Sequence, residues 1–174
     1  MRVSTNEGGS ADWLGANATA GAEHTWRHFW VMSNELTTPK IVLCASDSGR
    51  YEATNWTDMA MKSTAKNAAI SYGLGTEADE TRPGMLLAAD RSVTGHSLLK
   101  FVFNGAKAQR GNLGTNAAQL KDLRWDEKGM HQNGGNAALS DGSVQQLTGA
   151  RLRETIQNSQ DINNNYSQPG KAAL

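Results

Sequence analysis

The chain has 174 residues, enough for one domain with a buried core and too few for two of ordinary size. Its 17 basic and 17 acidic side chains cancel and no dense Lys/Arg run occurs, so the electrostatic signature of a nucleic-acid or anionic-membrane partner is missing. A 38% hydrophobic content without any long apolar window, and a single cysteine, Cys44, exclude a membrane span within these residues, an intramolecular disulfide and a multi-cysteine zinc site.

The opening "MRVSTNEGGSADW" is polar and glycine-bearing and does not read as the first element of a fold. Residues 23 to 36, "EHTWRHFWVMSNEL", place Trp26, Phe29 and Trp30 at i, i+3 and i+4, which predicts one amphipathic helix with three aromatics on one face. Pro39 ends it, and "KIVLCAS" at 40–46 then reads as a buried β-branched strand, with Cys44 as a small buried hydrophobe. Residues 51–66 carry no period and read as loop. "NAAISYGLG" and "GMLLAADRS" read as two strands that can pair across the turn "TEADETRPG". "SLLKFVFNG" alternates Leu99, Phe101 and Phe103 as a further strand, and 104–120 reads as an irregular Gly/Asn/Gln-rich connection.

"NAALS" and "SVQQL" flank Asp141-Gly142, the signal of a hairpin closed by a type I′ turn, which needs positive φ at both central residues. His131 stands near its entrance. In "GARLRETIQNS" a short helix is expected, with Thr148 as its cap and Leu152 and Ile156 as its apolar line. Residues 1–160 then form one domain, and 161–174 form a polar, weakly patterned tail expected to fray.

His131, nine residues, then Asp141-Gly142 resembles the signature of the prepilin-type H-x9-DG domain family of bacterial pilin-like and type II secretion pseudopilin-like proteins. The likeness extends to "RHFWVMSNELTTPKIVLCASD", "ISYGLGTEADETRPGMLLAADRSVT" and "HQNGGNAALSDGSVQQL", in that order and over roughly half the chain. Where the family has Cys-Pro-Ser-Asp, this chain has Cys44-Ala45-Ser46-Asp47. Members resembling it begin with a basic leader, a peptidase cleavage site and a long apolar helix. The polar start seen here is what a head without that stalk would have. The resemblance implies an α+β, pilin-like antiparallel sheet of about four to six strands with one or two helices on one face. It also implies a structural, non-catalytic subunit at the periplasm or cell surface, associating with other pilin-like or secretion-system subunits and with itself through the helix.

His131 and Asp141 could form a catalytic or metal-binding pair, or a hydrogen bond that pins a loop to the hairpin. The second reading is preferred, because no nucleophile or further carboxylate is nominated beside them. A hydrolase would pair His131 with Asp141 or Asp90. Glu77, Asp79 and Glu80 could offer oxygens to calcium, although without EF-hand spacing they read first as a solvated turn. His24 and His28 lie four apart but lack a third metal ligand and read as exposed polar residues. The alternative class is an exported binding module, for polysaccharide for instance, with Trp13, Trp56 and Trp125 as its surface candidates. Sequons at Asn17 and Asn55 carry no weight.

Overall fold

The two glycine-punctuated apolar runs in mid-chain pair with each other: Tyr72–Gly75 (β1) lies antiparallel to Leu86–Asp90 (β2), with Tyr72 opposite Asp90. The computed structural model describes residues 3–14, 24–96 and 108–170. A two-residue strand, Val93–Thr94 (β3), follows, then Ala108–Asn112 (β4), Arg124–Trp125 (β5), Gly134–Leu139 (β6), Val144–Thr148 (β7) and Asn165–Pro169 (β8). Six strands form one sheet in the order β4-β8-β1-β2-β6-β7, every pairing antiparallel, and β3 pairs with β5 as a separate ribbon. The helices are Thr25–Trp30 (α1), Ser33–Leu36 (α2), Trp56–Met61 (α3), Ala117–Leu120 (α4) and Gly149–Asn158 (α5). The architecture is therefore α+β around one antiparallel sheet.

Helices lie on both faces of that sheet, where one covered face was expected. Ala88 and Ala89 are neighbours on β2 and belong to different core clusters, as alternating side chains require when both faces are buried. One cluster gathers Leu86, Ala89, Ala137, Leu147 and Tyr166 beneath Leu120 of α4, Leu152 and Ile156 of α5 and Trp125 of the ribbon. The other gathers Leu74 with Trp26 and Phe29 of α1 and Met59 of α3. On the first face the large rings lie over glycines. A Cβ on Gly135 would come within 2.7 Å of the Trp125 ring, and one on Gly73 within 2.3 Å of the Tyr166 hydroxyl, so neither position accepts a side chain without displacing an aromatic.

The predicted α5 is present as expected, with Thr148 Oγ1 accepting from Arg151 N at 3.4 Å. Elsewhere the structure departs from the sequence reading. The single helix over 23–36 is two short ones, interrupted at Val31 and Met32. The expected strand at 40–46 is a 3-10 turn over Pro39–Val42 followed by bends. Pro39 enters that turn behind the Thr38 cap, and a residue with no N–H suits a helical first turn better than a ladder. Within 51–66, Asn55 Oδ1 accepts from Asp58 N at 2.8 Å and starts α3, a cap that nucleates a helix too short for its period to show. The segment 104–120 includes β4 and α4. The predicted strand with Leu99, Phe101 and Phe103 lies outside the described residues.

The largest correction concerns the polar C-terminal segment. Residues 165–169 form β8, an inner strand between β4 and β1. A polar strand can be interior because its side chains are bonded: Ser167 Oγ lies 2.7 Å from Thr25 Oγ1, and Gln168 both accepts from Val93 N (3.1 Å) and donates to Val93 O (2.8 Å). Apolar patterning carries no trace of that arrangement.

Candidate functional site

The motif residues converge at the end of the sheet where β2 finishes and β6 begins. The chain enters β6 through a tight turn in which Gly134 N donates to His131 O (3.3 Å) while Gln132 and Asn133 have φ of 44° and 64°. Two consecutive positive φ values are what a type I′ turn requires. The turn directs the His131 ring to the end of β2, where Nε2 lies 3.4 Å from Asp90 Oδ2 and 3.8 Å from Cys44 Sγ. Asp90 is 2% exposed, and the same Oδ2 accepts from Asn136 N (2.6 Å) and Asn136 Nδ2 (3.1 Å) on β6. A buried carboxylate needs such donors, since an unpaired one would carry a desolvation cost of several kcal/mol, on the order of the values for any buried ion.

Three residues beyond Cys44, Asp47 anchors a buried ionic knot. Its Oδ2 accepts from Arg50 Nε (2.8 Å) and Arg91 Nε (2.6 Å), and its Oδ1 accepts from Arg91 Nη2. Arg50 extends the knot by donating to Asn67 O (3.1 Å) and Gly170 O (2.9 Å). Burial would raise the Asp47 carboxyl, but the two guanidinium groups outweigh it and hold the group below its ordinary range. Burial, aided by Arg91 and opposed by Asp47, brings Arg50 down to about 10. Tyr72, opposite Asp90, has its hydroxyl pushed up by burial and then by Cys44, Asp90 and Asp47. The 44–50 loop is thus tied to β2 through Arg91 and to the β6 entrance through His131.

His131 and Asp141 are not brought together. They stand at opposite ends of β6, whose six residues span about 20 Å at the usual strand rise. Asp141 is exposed, and its Oδ1 accepts from Ser143 N at 2.8 Å, which lowers its carboxyl from the ordinary value, with Ser143 as the cause. The hairpin connection also differs from the expected type I′ turn. Gly142 has φ 83° but Asp141 is not among the positive-φ residues. Gly142 N donates to Leu139 O (3.0 Å) and Leu139 N to Ser143 O (2.9 Å), so the connection has three residues and only its last is left-handed.

Sequence reasoning singled out His131, Asp90 and Cys44 but not Arg50, Arg91 or Asn136. The available signal was a charged pair, Asp90-Arg91, closing an apolar strand, and an Asp47/Arg50 pair at i, i+3. Cys44 is half-buried beside the imidazole, where full burial among apolar groups was expected. Both the thiol and the carboxylate approach the same ring nitrogen of His131, whereas a nucleophile relay uses the two nitrogens separately. The arrangement is chemically suited to clamping three chain segments together.

The remaining candidates are dispersed. Trp125 is 1% exposed in the core and offers no surface. Trp13 packs edge-on against Trp30, with ring centroids 6.4 Å apart, and half-buried Trp56 packs against the α1/α3 cluster. Glu77, Asp79 and Glu80 lie in the β1–β2 connection, where Asp79 Oδ1 accepts from Thr81 N (2.9 Å) and Thr81 Oγ1 (2.7 Å). Among the described residues no group of three His, Cys, Asp or Glu is placed to hold a metal ion. No helix among them is long and apolar enough to cross a membrane. His28, expected to be exposed, is buried. Asn55 caps α3, and Asn17 lies outside the described residues. Comparison with family models, curated proteins and solved structures finds no match.

Proposed function

We propose that this chain is the head of a bacterial pilin-like or type II secretion pseudopilin-like subunit, a structural component without catalytic activity. In this reading the head is carried on an N-terminal apolar helix that anchors it in the cytoplasmic membrane. The helix later packs with copies of itself and with related subunits at the periplasm or cell surface. The observation that carries the reading is the joint use of the two motif segments: Cys44–Asp47 and His131 meet at Asp90 and Arg91. That is the placement expected if the H-x9-DG pattern serves architecture. The six-stranded antiparallel sheet is compatible with a pilin-like head, although fold alone does not license function.

The test is to determine the coding sequence upstream of Met1 and express the whole gene in a bacterium that carries a prepilin peptidase. A basic leader, its cleavage and membrane-fraction protein that cross-links to further copies are expected. An upstream frame with no apolar helix, or a processed product that never cross-links, overturns the reading.

A further inference from the structure

Residues 3–14, which contain the short 3-10 turns Thr5–Glu7 and Ala11–Leu14, bond mainly within themselves: Gly9 N donates to Ser4 O (2.8 Å), Ala11 N to Val3 O (2.9 Å) and Thr5 N to Asp12 Oδ2 (2.8 Å). Ser10 and Trp13 join this strap to α1. Ser10 Oγ lies 2.8 Å from His28 Nδ1, and Trp13 packs beside Trp30 with the Arg27 guanidinium 5.1 Å over its ring. His28 and Ser10 are each 1% exposed, and His28 Nε2 is buried with no hydrogen-bond partner among the described residues. We propose that the His28–Ser10 pair is an acid-sensitive latch that holds residues 3–14 against α1 at neutral pH and releases them when the ring takes a second proton.

A neutral imidazole suits the site because Nδ1 has one hydroxyl to bond and Nε2 has none. A second proton would place a full charge where no acceptor among the described residues bonds Nε2. The surrounding charges do not compensate. Arg110 on β4 and His24, the residue before α1, are cationic or become so, and after burial, the larger cause, they help push His28 down to about 4. The strap's own carboxylates are engaged elsewhere, Asp12 with Thr5 and Glu7 with Ser4. Lys66, in the 3-10 turn Lys66–Ala69 packed against α1, adds no negative charge. Opening the strap admits water to the ring and restores its ordinary basicity, so protons and the closed strap compete.

Amide hydrogen exchange across the whole chain, corrected for intrinsic rates, tests this between pH 7 and pH 5. Protection over residues 3–14 is expected to fall by roughly tenfold or more as the free ring's protonation range is entered, while β1, β2 and β6 keep theirs. His28→Asn retains a group near Nδ1 but cannot become cationic, so its strap exchange is expected to be independent of pH over this range. Ser10→Ala is expected to loosen the strap at pH 7 already. Strap protection in the unaltered chain that does not change with pH overturns the proposal. So does a loss in His28→Asn equal to that of the unaltered chain, or sheet and strap opening together. If His28→Asn does not fold, the pH profile of the unaltered chain beside that of Ser10→Ala decides.

Discussion

The two ends of β6 carry the two halves of one sequence motif and are built on opposite principles. At the His131 end, three segments distant in sequence are clamped by buried charges: Asp47 between Arg50 and Arg91, and Asp90 among Asn136 and His131. At the Asp141-Gly142 end, a solvated connection is closed by Ser143 and a left-handed glycine, and its backbone is tied to the segment before β2, Ser140 N donating to Met85 O (2.9 Å) and Asp141 N to Pro83 O (3.2 Å). The first end depends on buried side-chain partners and the second on backbone hydrogen bonds. Proximity in sequence therefore says little about shared work, and substitutions at the two ends should separate cleanly.

The largest separation is expected from Asp47→Ala. It leaves the almost fully buried Arg50 side chain and the largely buried Arg91 without their carboxylate, and breaking a buried pair from one side costs about 3–5 kcal/mol. Denaturant unfolding of the variant should show that loss. The pH dependence follows with a definite sign. The folded-state Asp47 carboxyl lies below its ordinary value, so its stabilisation is complete above about pH 4 and is lost as pH falls through the lower, folded value. An Asp47→Asn variant should lack that part of the acid slope. An unchanged slope would mean that the knot contributes specificity without stability.

How much of this was legible follows a division between local and distant causes. The Thr148 cap with Leu152 and Ile156, and the pairing of β1 with β2, rest on short-range signals and appear as the sequence implies. The type I′ geometry is present but lies at Gln132-Asn133, where neither residue is glycine, and local propensity would not select it. Gln132 and Asn133 are themselves exposed, and the contacts that fix the turn lie on either side of them, His131 against Asp90 and Gly134 in the ladder with β7. β8 was illegible for a related reason: Ser167 and Gln168 are interior because partners from Thr25 and Val93 meet them, and such partners leave no period in the strand's own sequence. The run at 40–46 shows the converse, an apolar pattern with strand length but no strand, in which Val42 is buried and Ile41 is exposed.

Smaller effects sharpen the contrast between the ends. Gly142→Ala meets no atom within 4 Å of the added Cβ, so its cost is the left-handed backbone alone, about 1–2 kcal/mol. That loss should appear in the thermal midpoint without any change at the other end of the strand. His131→Ala removes a quarter-exposed side chain with two long contacts, and Asp90 keeps Asn136. A loss of about 1 kcal/mol is expected, with faster exchange at the 44–50 loop. Asp141→Ala should give the smallest shift in midpoint of the four, since Ser143 N can turn to water.

The finest test is a double-mutant cycle between His131→Ala and Asp141→Ala, set beside one between His131→Ala and Asp90→Asn. Residues more than about 7–10 Å apart with no shared partner combine additively to within about 0.3–0.5 kcal/mol. The first cycle should therefore close to about zero, while the second, across the 3.4 Å contact, should not. A functional His131–Asp141 pair requires the reverse. Coupling between them with none to Asp90 would mean that β6 transmits strain along its length, and that the spacing of the two motif halves is itself what the fold needs.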